Sequence, residues 1–269
     1  MNPEFKEDLK IAIVQTNLYW QDIQSNLSML EEKIWQIEEK VDLIVLPEMF
    51  NTGFTNNTSL AEPMNLTTTK WLKMMAKQTG AAITGSILIV ENNQFFNRLL
   101  WVEPSGKILK YDKRHLFRMA DEHMYFSQGI EQIIIDYKGW KIKPLICYDL
   151  RFPIWARNKF DLTNHQYDYD ILLYVANWPQ ARHQIWQTLL SARSIENLCY
   201  VIGANRIGLD GNNIMYSGGS NIFFPNGSSI NNNQDNDFII INTIEKQFLN
   251  QFRKQFPSLL DADIFQLIL

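Results

Sequence analysis

The sequence has few of the features that mark several common classes of protein. It contains only two cysteines, Cys147 and Cys199, and its formal net charge of -4 comes without any basic stripe. Nucleic-acid-binding surfaces are strongly basic, so that class is excluded. Neither G-x-G-x-x-G after an apolar run nor G-x-x-x-x-G-K-[ST] occurs, which argues against nucleotide binding. Small-molecule chemistry is therefore the first hypothesis.

The chain also lacks long apolar runs. None approaches the roughly 18 to 20 residues that cross a bilayer, and the charged start MNPEFKEDLK contains no apolar signal region. We therefore expect a cytoplasmic protein that does not contact membranes, in which two distant cysteines do not indicate a structural disulfide. The sequence predicts no metal site, because its four histidines have neither H-x-H nor H-E-x-x-H spacing. They are His115, His123, His165 and His183.

Length and composition predict one well-packed domain over residues 1–269. Hydrophobic residues make up 46% of the chain and charged residues 20%, which is the balance of a folded globular protein and not of a disordered one. A chain of this length can bury a large core. No linker, charge block or composition shift marks a domain boundary.

Six short apolar runs predict strands that are buried on both faces of a sheet. They cover residues 10–17, 41–48, 81–90, 141–148, 170–178 and 198–206. Helical patterns alternate with these runs over residues 20–40, 67–80 and 180–198, the second of them beginning with threonines as candidate caps. The turn sequences EPSG and FPNG predict two β-hairpins. The alternation of strands and helices indicates an α/β fold.

Three polar residues lie at the predicted ends of strands, where α/β proteins bind ligands. Glu48 and Cys147 end apolar runs, and Lys113 follows the segment KILKYD. Each alone also fits a structural role. Glu48 suits a helix cap or a loop carboxylate, Lys113 is one member of the basic trio in DKRH, and Cys147 suits a buried small side chain. Together they suit thiol chemistry, because a thiol needs a base or cation, and an ammonium stabilises an oxyanion. A carboxylate serves as that base if burial raises its pKa towards neutrality.

The two cysteines have different neighbours. Cys147 is followed at once by a polar turn, in which the backbone N–H of Tyr148 is a candidate donor to a substrate carbonyl oxygen. Cys199 lies inside the apolar segment ENLCYVIG and is predicted to be a buried core residue. The contrast favours Cys147 as the reactive thiol.

The segments around these residues form a pattern that extends over most of the chain. They are LPEMFNTGF (46–54), YDKRHLFRMADEHMYFSQG (111–129), ICYDLRFPIWARN (146–158), ANWPQARHQIWQTLLSARSIENLCYVIGANRIGLDG (176–211) and YSGGSNIFFPNG (216–227). In this order they resemble the nitrilase, or carbon–nitrogen hydrolase, superfamily, and most closely its omega-amidase branch. The resemblance implies a single domain with the four-layer αββα sandwich of the nitrilase type.

The resemblance also implies a role for each matching residue. Glu48 would be the general base, Lys113 the oxyanion-stabilising residue and Cys147 the nucleophile of a Glu-Lys-Cys triad. Glu122 matches an auxiliary glutamate that helps to position the substrate and Lys113, with a loop carboxylate as the alternative. The implied reaction passes through a thioester on Cys147, releases ammonia and needs no metal or organic cofactor.

Further residues are candidates for substrate binding and assembly. Arg151 has a planar fork that suits a substrate carboxylate, or it forms a structural salt bridge, for instance to Asp149. Trp178 and Phe117 are candidate walls of the pocket, or core residues. The apolar C-terminal tail, about residues 245–269, predicts the interface of a homodimer, with packing against its own domain as the alternative.

The predicted function is hydrolysis of the terminal amide of small 2-oxo acid omega-amides, such as 2-oxoglutaramate and 2-oxosuccinamate. Within the superfamily, the alternatives are an amidase acting on deaminated glutathione, a carbamoyl hydrolase and a nitrilase. Outside it, the alternative is a non-catalytic α/β binding protein. The expected partner is a small amide substrate.

Overall fold

The computed structural model describes residues 8–230 and 237–268. The strands are β1 (Asp8–Gln15), β2 (Leu43–Val45), β3 (Ala82–Glu91), β4 (Gln94–Val102), β5 (Ile108–Asp112), β6 (Ile135–Tyr137), β7 (Trp140–Ile146), β8 (Phe160–Asp161), β9 (Gln166–Tyr167), β10 (Ile171–Ala176), β11 (Tyr200–Asn205), β12 (Ile207–Leu209), β13 (Met215–Ser217), β14 (Asn221–Phe223) and β15 (Phe238–Glu245). The α-helices are α1 (Ile23–Trp35), α2 (Thr67–Thr79), α3 (Glu122–Tyr125), α4 (Pro153–Ala156), α5 (His183–Asn197) and α6 (Lys246–Gln255).

Two mixed sheets form the centre of the molecule. The first has the strand order β15-β1-β2-β3-β4-β5, in which β1, β2 and β3 are parallel. The second has the order β14-β11-β10-β7-β6, in which β7, β10 and β11 are parallel. Parallel strands end on the same side of a sheet, so the segments that follow them lie together at one edge.

The sheets face each other across an apolar core. In β1, the odd-numbered side chains Leu9, Ile11 and Ile13 pack into the layer between the sheets, while Ala12 and Val14 belong to a second cluster on the outer face. This alternation follows from the two-residue period of a strand, and both faces are apolar because both are covered.

Helices cover the outer face of each sheet. Leu30 of α1 and Leu72 of α2 pack on the outer face of the first sheet. On the second sheet, a Cβ at Gly203 of β11 would come within 2.6 Å of Leu190 and 2.9 Å of Trp186, so α5 lies against the strand where only glycine leaves room. The layers are helix, sheet, sheet and helix, which confirms the predicted αββα sandwich.

The six predicted strands and three predicted helices are present with altered boundaries. The run 41–48 forms a strand only over β2, because Pro47 has no N–H for a ladder and the chain then turns away. The first helix begins later than predicted, at Ile23, because Asp22 caps it. The threonine cap of the helix at 67–80 is wrong: the Glu62 carboxylate accepts the Thr68 N–H at 3.0 Å.

Both predicted hairpins are also present. β4 and β5 pair antiparallel across the EPSG turn, and a bridge between Phe223 and Ser229 closes the FPNG turn after β14. Within the described residues, no helix has the length and apolar character needed to cross a membrane.

Much of the C-terminal tail packs against its own domain. Leu249 of α6 and Leu259 are buried, and Arg253 forms an ion pair with Asp170 at 2.8 Å. Beyond these residues most described side chains are exposed and Ile264 is fully accessible, while Ala262 and Phe265 are half-buried. Leu269, the last residue of the predicted interface, lies outside the described residues. The homodimer stays a prediction.

Candidate active site

Four polar residues from different parts of the chain meet at the carboxyl edge of the two sheets. Glu48 lies three residues after β2, Lys113 directly follows β5, Cys147 directly follows β7, and Glu122 begins α3. The two glutamates and the lysine are fully buried, while Cys147 is half-buried. The structure therefore brings together all four residues that the sequence assigns to catalysis.

Lys113 bridges the two glutamates. Its Nζ lies 2.9 Å from Oε1 of Glu48 and 2.8 Å from Oε2 of Glu122. The side-chain amide of Asn97, in β4, donates to both carboxylates, at 2.8 Å and 3.2 Å. Two buried carboxylates thus share one buried ammonium, which leaves the cluster with a surplus of negative charge when both carboxylates are ionised.

Glu48 and Glu122 are each held in one orientation by the backbone. The N–H of Asn177, just after β10, donates to Oε2 of Glu48 at 2.8 Å, and the Asn177 side chain donates to the Glu48 carbonyl at 2.6 Å. The N–H of Phe117 donates to Oε2 of Glu122 at 2.7 Å. Because both sheets contribute donors, the carboxylates are oriented before any substrate binds.

Left-handed backbone conformations occur at or beside three of these four residues. Cys147 has φ 43°, Met49 follows Glu48 with φ 45°, and Asp121 precedes Glu122 with φ 56°. For a residue other than glycine, this backbone conformation costs roughly 1 to 3 kcal/mol, and such residues cluster at functional sites. The chain therefore accepts strain at the turns that present the site side chains.

The turn at Cys147 joins β7 to a 3-10 helix over Cys147–Arg151. The first N–H groups of a helix have no partner within it. The N–H of Tyr148 belongs to this first turn, and Tyr148 lines the same cavity as Cys147. Its role as an oxyanion donor stays a prediction.

Asp149 is a buried carboxylate that ties the nucleophile turn to the segment after β5. Its Oδ2 accepts the Ile146 N–H at 3.0 Å and the Tyr111 hydroxyl at 2.7 Å. Its Oδ1 accepts the His115 N–H at 2.9 Å and lies 2.7 Å from Nδ1 of the same histidine. Since His115 follows Lys113 by two residues, Asp149 fixes nucleophile and lysine relative to each other.

Burial and charge determine the protonation states in the site. Burial raises the pKa of the Cys147 thiol well above its usual range, and the Glu48 carboxylate adds to the rise against the opposing effect of Lys113. Burial also raises the pKa of Glu122, and the ammonium of Lys113 only partly offsets it. For Lys113 itself, burial lowers the pKa, but the neighbouring carboxylates outweigh it and the net pKa is raised. Cys147 is therefore a neutral thiol at neutral pH.

A cavity of about 500 Å³, part of it open solvent at its mouth, lies over Cys147. All of the predicted binding residues line it. They are Tyr148, Arg151, Trp178 and Phe117, together with Lys113. Its lining of aromatic rings with a few polar side chains is typical of a small-molecule site.

Arg151 does not form the salt bridge that was its structural alternative. Both oxygens of Asp149 are bound to other donors, and the ion pairs among residues 8–230 and 237–268 do not include Arg151. Its guanidinium carbon instead lies 5.3 Å from the ring centroid of Trp178. The Asp149 alternative is wrong, and the guanidinium remains free to bind a ligand.

The two predicted wall residues differ in burial. Trp178 is buried, with its ring 5.4 Å from that of Trp186, so it belongs to both the core and the cavity wall. Phe117 is half-buried, and its ring contacts that of Tyr148 at 5.0 Å.

Sequence reasoning missed the amides that orient the glutamates. Asn177 directly follows β10 and, like Glu48, lies shortly after a strand, at the start of the segment ANWPQ. Asn97 is a fully buried polar residue inside an apolar strand, which is itself a signal, since buried amides need partners. For Asp149, the sequence suggests only a salt bridge to Arg151.

Cys199 is fully buried, and its Sγ lies 3.9 Å from the carbonyl oxygen of Arg193. Burial raises its pKa, and it does not line the cavity over Cys147. The prediction of a core residue is confirmed. Within the same described ranges, no group of three or more histidine, cysteine or acidic side chains is arranged to hold a metal ion.

Comparison with known proteins gives matches over nearly the whole chain. Residues 10–254 match the model of the Carbon-nitrogen hydrolase family. The Omega-amidase YafV of Escherichia coli (strain K12) is 42% identical over 260 residues, which cover 96% of this chain and 98% of that protein. The 2-oxoglutaramate amidase of Bacillus subtilis (strain 168) is 32% identical over 251 residues, covering 92% of this chain and 95% of that protein.

Solved structures agree with the fold. XC1258 from Xanthomonas campestris, a CN-hydrolase superfamily protein with an arsenic adduct in its active site, has a TM-score of 0.94 at 42% identity and covers 97% of this chain and 99% of that chain. Nit3 of Saccharomyces cerevisiae has a TM-score of 0.82 at 22% identity, with 96% of this chain and 97% of that chain covered, which shows the shared fold.

Proposed function

The chain belongs to the carbon–nitrogen hydrolase family, and on that premise we propose that it is an omega-amidase acting on small 2-oxo acid omega-amides. The observation that carries this proposal is the buried cluster of Glu48, Lys113 and Glu122 beside a half-buried thiol at a small cavity. The names of the relatives from E. coli and B. subtilis support the class of substrate. The products are the corresponding acid and ammonia.

In the first half of the reaction, Cys147 attacks the amide carbon as its proton moves to Glu48. The thiol begins neutral because burial and the nearby carboxylate raise its pKa, so proton transfer accompanies attack instead of preceding it. Lys113 Nζ and the N–H of Tyr148 stabilise the oxyanion. Glu48 then gives the proton to the departing nitrogen, the C–N bond breaks, and a thioester on Cys147 remains.

In the second half, water replaces ammonia in the site. Glu48 takes a proton from this water, the oxygen attacks the thioester carbon, and the same oxyanion donors act again. The C–S bond breaks and the proton returns to the sulfur of Cys147. Glu122 never contacts the reacting atoms in this scheme; it holds Lys113 in place through both of its oxygens, at 3.0 Å and 2.8 Å.

Intact-mass spectrometry with 2-oxosuccinamate tests the chemistry and the substrate class together. We expect an acyl adduct on the wild type or on Glu48→Gln, its absence from Cys147→Ala, and the wild-type result in Cys199→Ala as the matched control. Ammonia release across a panel of a 2-oxo acid amide, deaminated glutathione, a carbamoyl compound and a nitrile separates the alternatives. Faster turnover of any of the last three than of the 2-oxo acid amide would contradict the proposal.

The assembly and compartment are also proposals. We propose a homodimer in the cytoplasm, supported by the exposed apolar side chains Ile264, Leu267 and Ile268 in the tail and by two free cysteines, which a reducing compartment maintains. A monomer in sedimentation at micromolar concentration would remove the dimer. Recovery of the protein from a secreted or membrane fraction would remove the cytoplasmic assignment.

A further inference from the structure

Two arginines line the active-site cavity without any carboxylate to balance them. They are Arg151 and Arg182, and both are half-buried. In the described ranges, the arginines with ion pairs are Arg98, Arg193 and Arg253, and each of these lies away from the cavity. A half-buried guanidinium without a partner loses hydration without gaining an opposite charge, so a ligand that supplies the charge is expected.

Each of the two guanidiniums lies against an aromatic wall of the cavity. The Arg151 carbon is 5.3 Å from the ring centroid of Trp178, and the Arg182 carbon is 5.4 Å from that of Phe117. Stacking on a ring fixes the plane of a guanidinium while its N–H groups stay free at the edge. The Trp178 wall is also tied to the second arginine, since its ring N–H donates to the Arg182 carbonyl at 2.8 Å.

The charged side chains that line the cavity are all positive. Its charged lining residues in the described structure are Lys113, Arg151 and Arg182, and none of its lining residues is acidic. Lys113 is already bound by two glutamates behind the cavity wall, so its charge is compensated. The uncompensated positive charge therefore belongs to the arginine pair, away from the glutamates.

We propose that Arg151 and Arg182 together bind the carboxylate of the amide substrate and select against an α-ammonium beside that carboxylate. A carboxylate gains charge-assisted hydrogen bonds from two guanidinium forks. An amino acid amide would place its ammonium next to the same guanidiniums, where no acidic group of the cavity lining pairs with it. The inference rests on the proposed function and adds Arg182 as a determinant of its specificity.

Three matched compounds test this selection. 2-Oxosuccinamate carries the carboxylate, acetoacetamide has a methyl group in its place, and asparagine has an ammonium in place of the oxo group. We expect the wild type to prefer 2-oxosuccinamate over both others. Charge-assisted hydrogen bonds predict that Arg182→Gln and Arg151→Gln each raise KM for 2-oxosuccinamate by about 10- to 100-fold, with kcat nearly unchanged. The kcat/KM for acetoacetamide is expected to stay within about threefold in each variant.

Arg118→Gln is the matched control. Arg118 is an exposed arginine in the segment between Phe117 and Ala120, both of which line the cavity, but it does not line the cavity itself. Its replacement removes the same charge from the neighbourhood, and we expect wild-type KM for every compound. An equal rise of KM in Arg118→Gln would mean general attraction of anions instead of binding by the pair.

The inference fails if Arg182→Gln lowers kcat/KM equally for 2-oxosuccinamate and acetoacetamide, or if the wild type turns over asparagine as well as 2-oxosuccinamate. Binding to Cys147→Ala, measured by calorimetry, separates this failure from that of the proposed function. Suppose that the wild type releases no ammonia. Binding of 2-oxosuccinamate but not acetoacetamide to Cys147→Ala would still support the arginine pair, provided that the double variant Cys147→Ala/Arg182→Gln loses this binding. Equal binding of both compounds would overturn it.

Discussion

Two clusters of charged side chains in the structure differ in their balance of charge. The active-site cluster consists of Glu48, Lys113 and Glu122. The tail cluster consists of Asp170, Lys246 and Arg253 and joins α6 to the second sheet. In the first, two carboxylates share one cation, and in the second, two cations share one carboxylate. Within each cluster the charges are close enough to determine one another's protonation.

The consequence appears in the direction of the pKa shifts. For Asp170, burial raises the pKa, but Arg253 and Lys246 outweigh it and the net pKa is lowered. For Glu122 the net pKa is raised, because burial and the charge of Glu48 exceed the effect of the single ammonium. A cluster with enough cations holds a permanent charge and stabilises the fold. A cluster with too few is suited to accepting and releasing protons.

The largest effect is expected from Glu48→Gln, which removes the base from the active-site cluster but keeps its shape. Loss of a general base predicts a fall in kcat of about 10²- to 10⁴-fold. Glu62→Gln is the matched control, because Glu62 is also buried and binds the Thr68 N–H but does not line the cavity. Steady-state ammonia release measures both. A comparable loss in Glu62→Gln would mean that any buried glutamate supports activity through the fold alone.

Asp170→Asn breaks the tail cluster and leaves the buried Arg253 and the half-buried Lys246 without a carboxylate. Removing one partner of a buried ion pair predicts a loss of about 3 to 5 kcal/mol in the free energy of unfolding. The kcat of the folded fraction should stay at the wild-type value, because no member of this cluster lines the cavity. Urea unfolding measures the first quantity, with the exposed Asp136→Asn as control. Lost activity at unchanged stability would reverse the roles of the two clusters.

Asp149→Asn tests a third kind of buried carboxylate, because Asp149 binds backbone N–H groups, a hydroxyl and a histidine. We expect kcat to fall by about 10- to 100-fold with little change in KM, since a small displacement of the nucleophile turn reduces the rate. Kinetics of 2-oxosuccinamate hydrolysis measure both constants. Unchanged kcat with reduced stability would make Asp149 a purely structural residue.

The sequence predicts the active-site cluster better than it predicts the residues that orient it. Glu48, Lys113 and Cys147 follow apolar runs, and the end of a strand is visible in one dimension. Asn97 lies within β4, and its contact with both glutamates depends on the order of strands in the first sheet and on the fold of the segment after β5. Arg182 reaches the cavity only because α5 starts at the carboxyl edge of the second sheet.

The tail cluster is hidden from the sequence for the same physical reason. Asp170 directly precedes β10 and Arg253 lies in α6, and neither position carries a local signal of burial. Their meeting depends on how α6 packs, which no single segment determines. The apolar character of the tail is visible, and it indicates that the tail is covered, but an interface and packing on its own domain give the same composition.

The smallest expected effect is in the pH dependence of stability, where the two clusters should differ in sign. The pKa of Asp170 in the folded protein lies below the ordinary 3.8, so its contribution to stability is present above that value and is lost as the pH falls through the folded pKa. The pKa of Glu122 lies above the ordinary 4.5, so its contribution is present below that value and is lost as the pH rises through the folded pKa.

Urea unfolding of the wild type, Asp170→Asn and Glu122→Gln between about pH 3 and pH 8 measures this difference. As the pH falls below 3.8, the wild type should lose its advantage over Asp170→Asn. As the pH rises above 4.5, the free energy of unfolding of Glu122→Gln should increase relative to that of the wild type. In the wild type the unfolded chain loses the Glu122 proton at a lower pH than the folded protein does, which reduces stability, and a glutamine has no such proton. Each unit of pKa difference corresponds to about 1.4 kcal/mol, which linear extrapolation resolves. If both variants change with pH in the same sense relative to the wild type, the charge balance of the clusters does not determine their protonation.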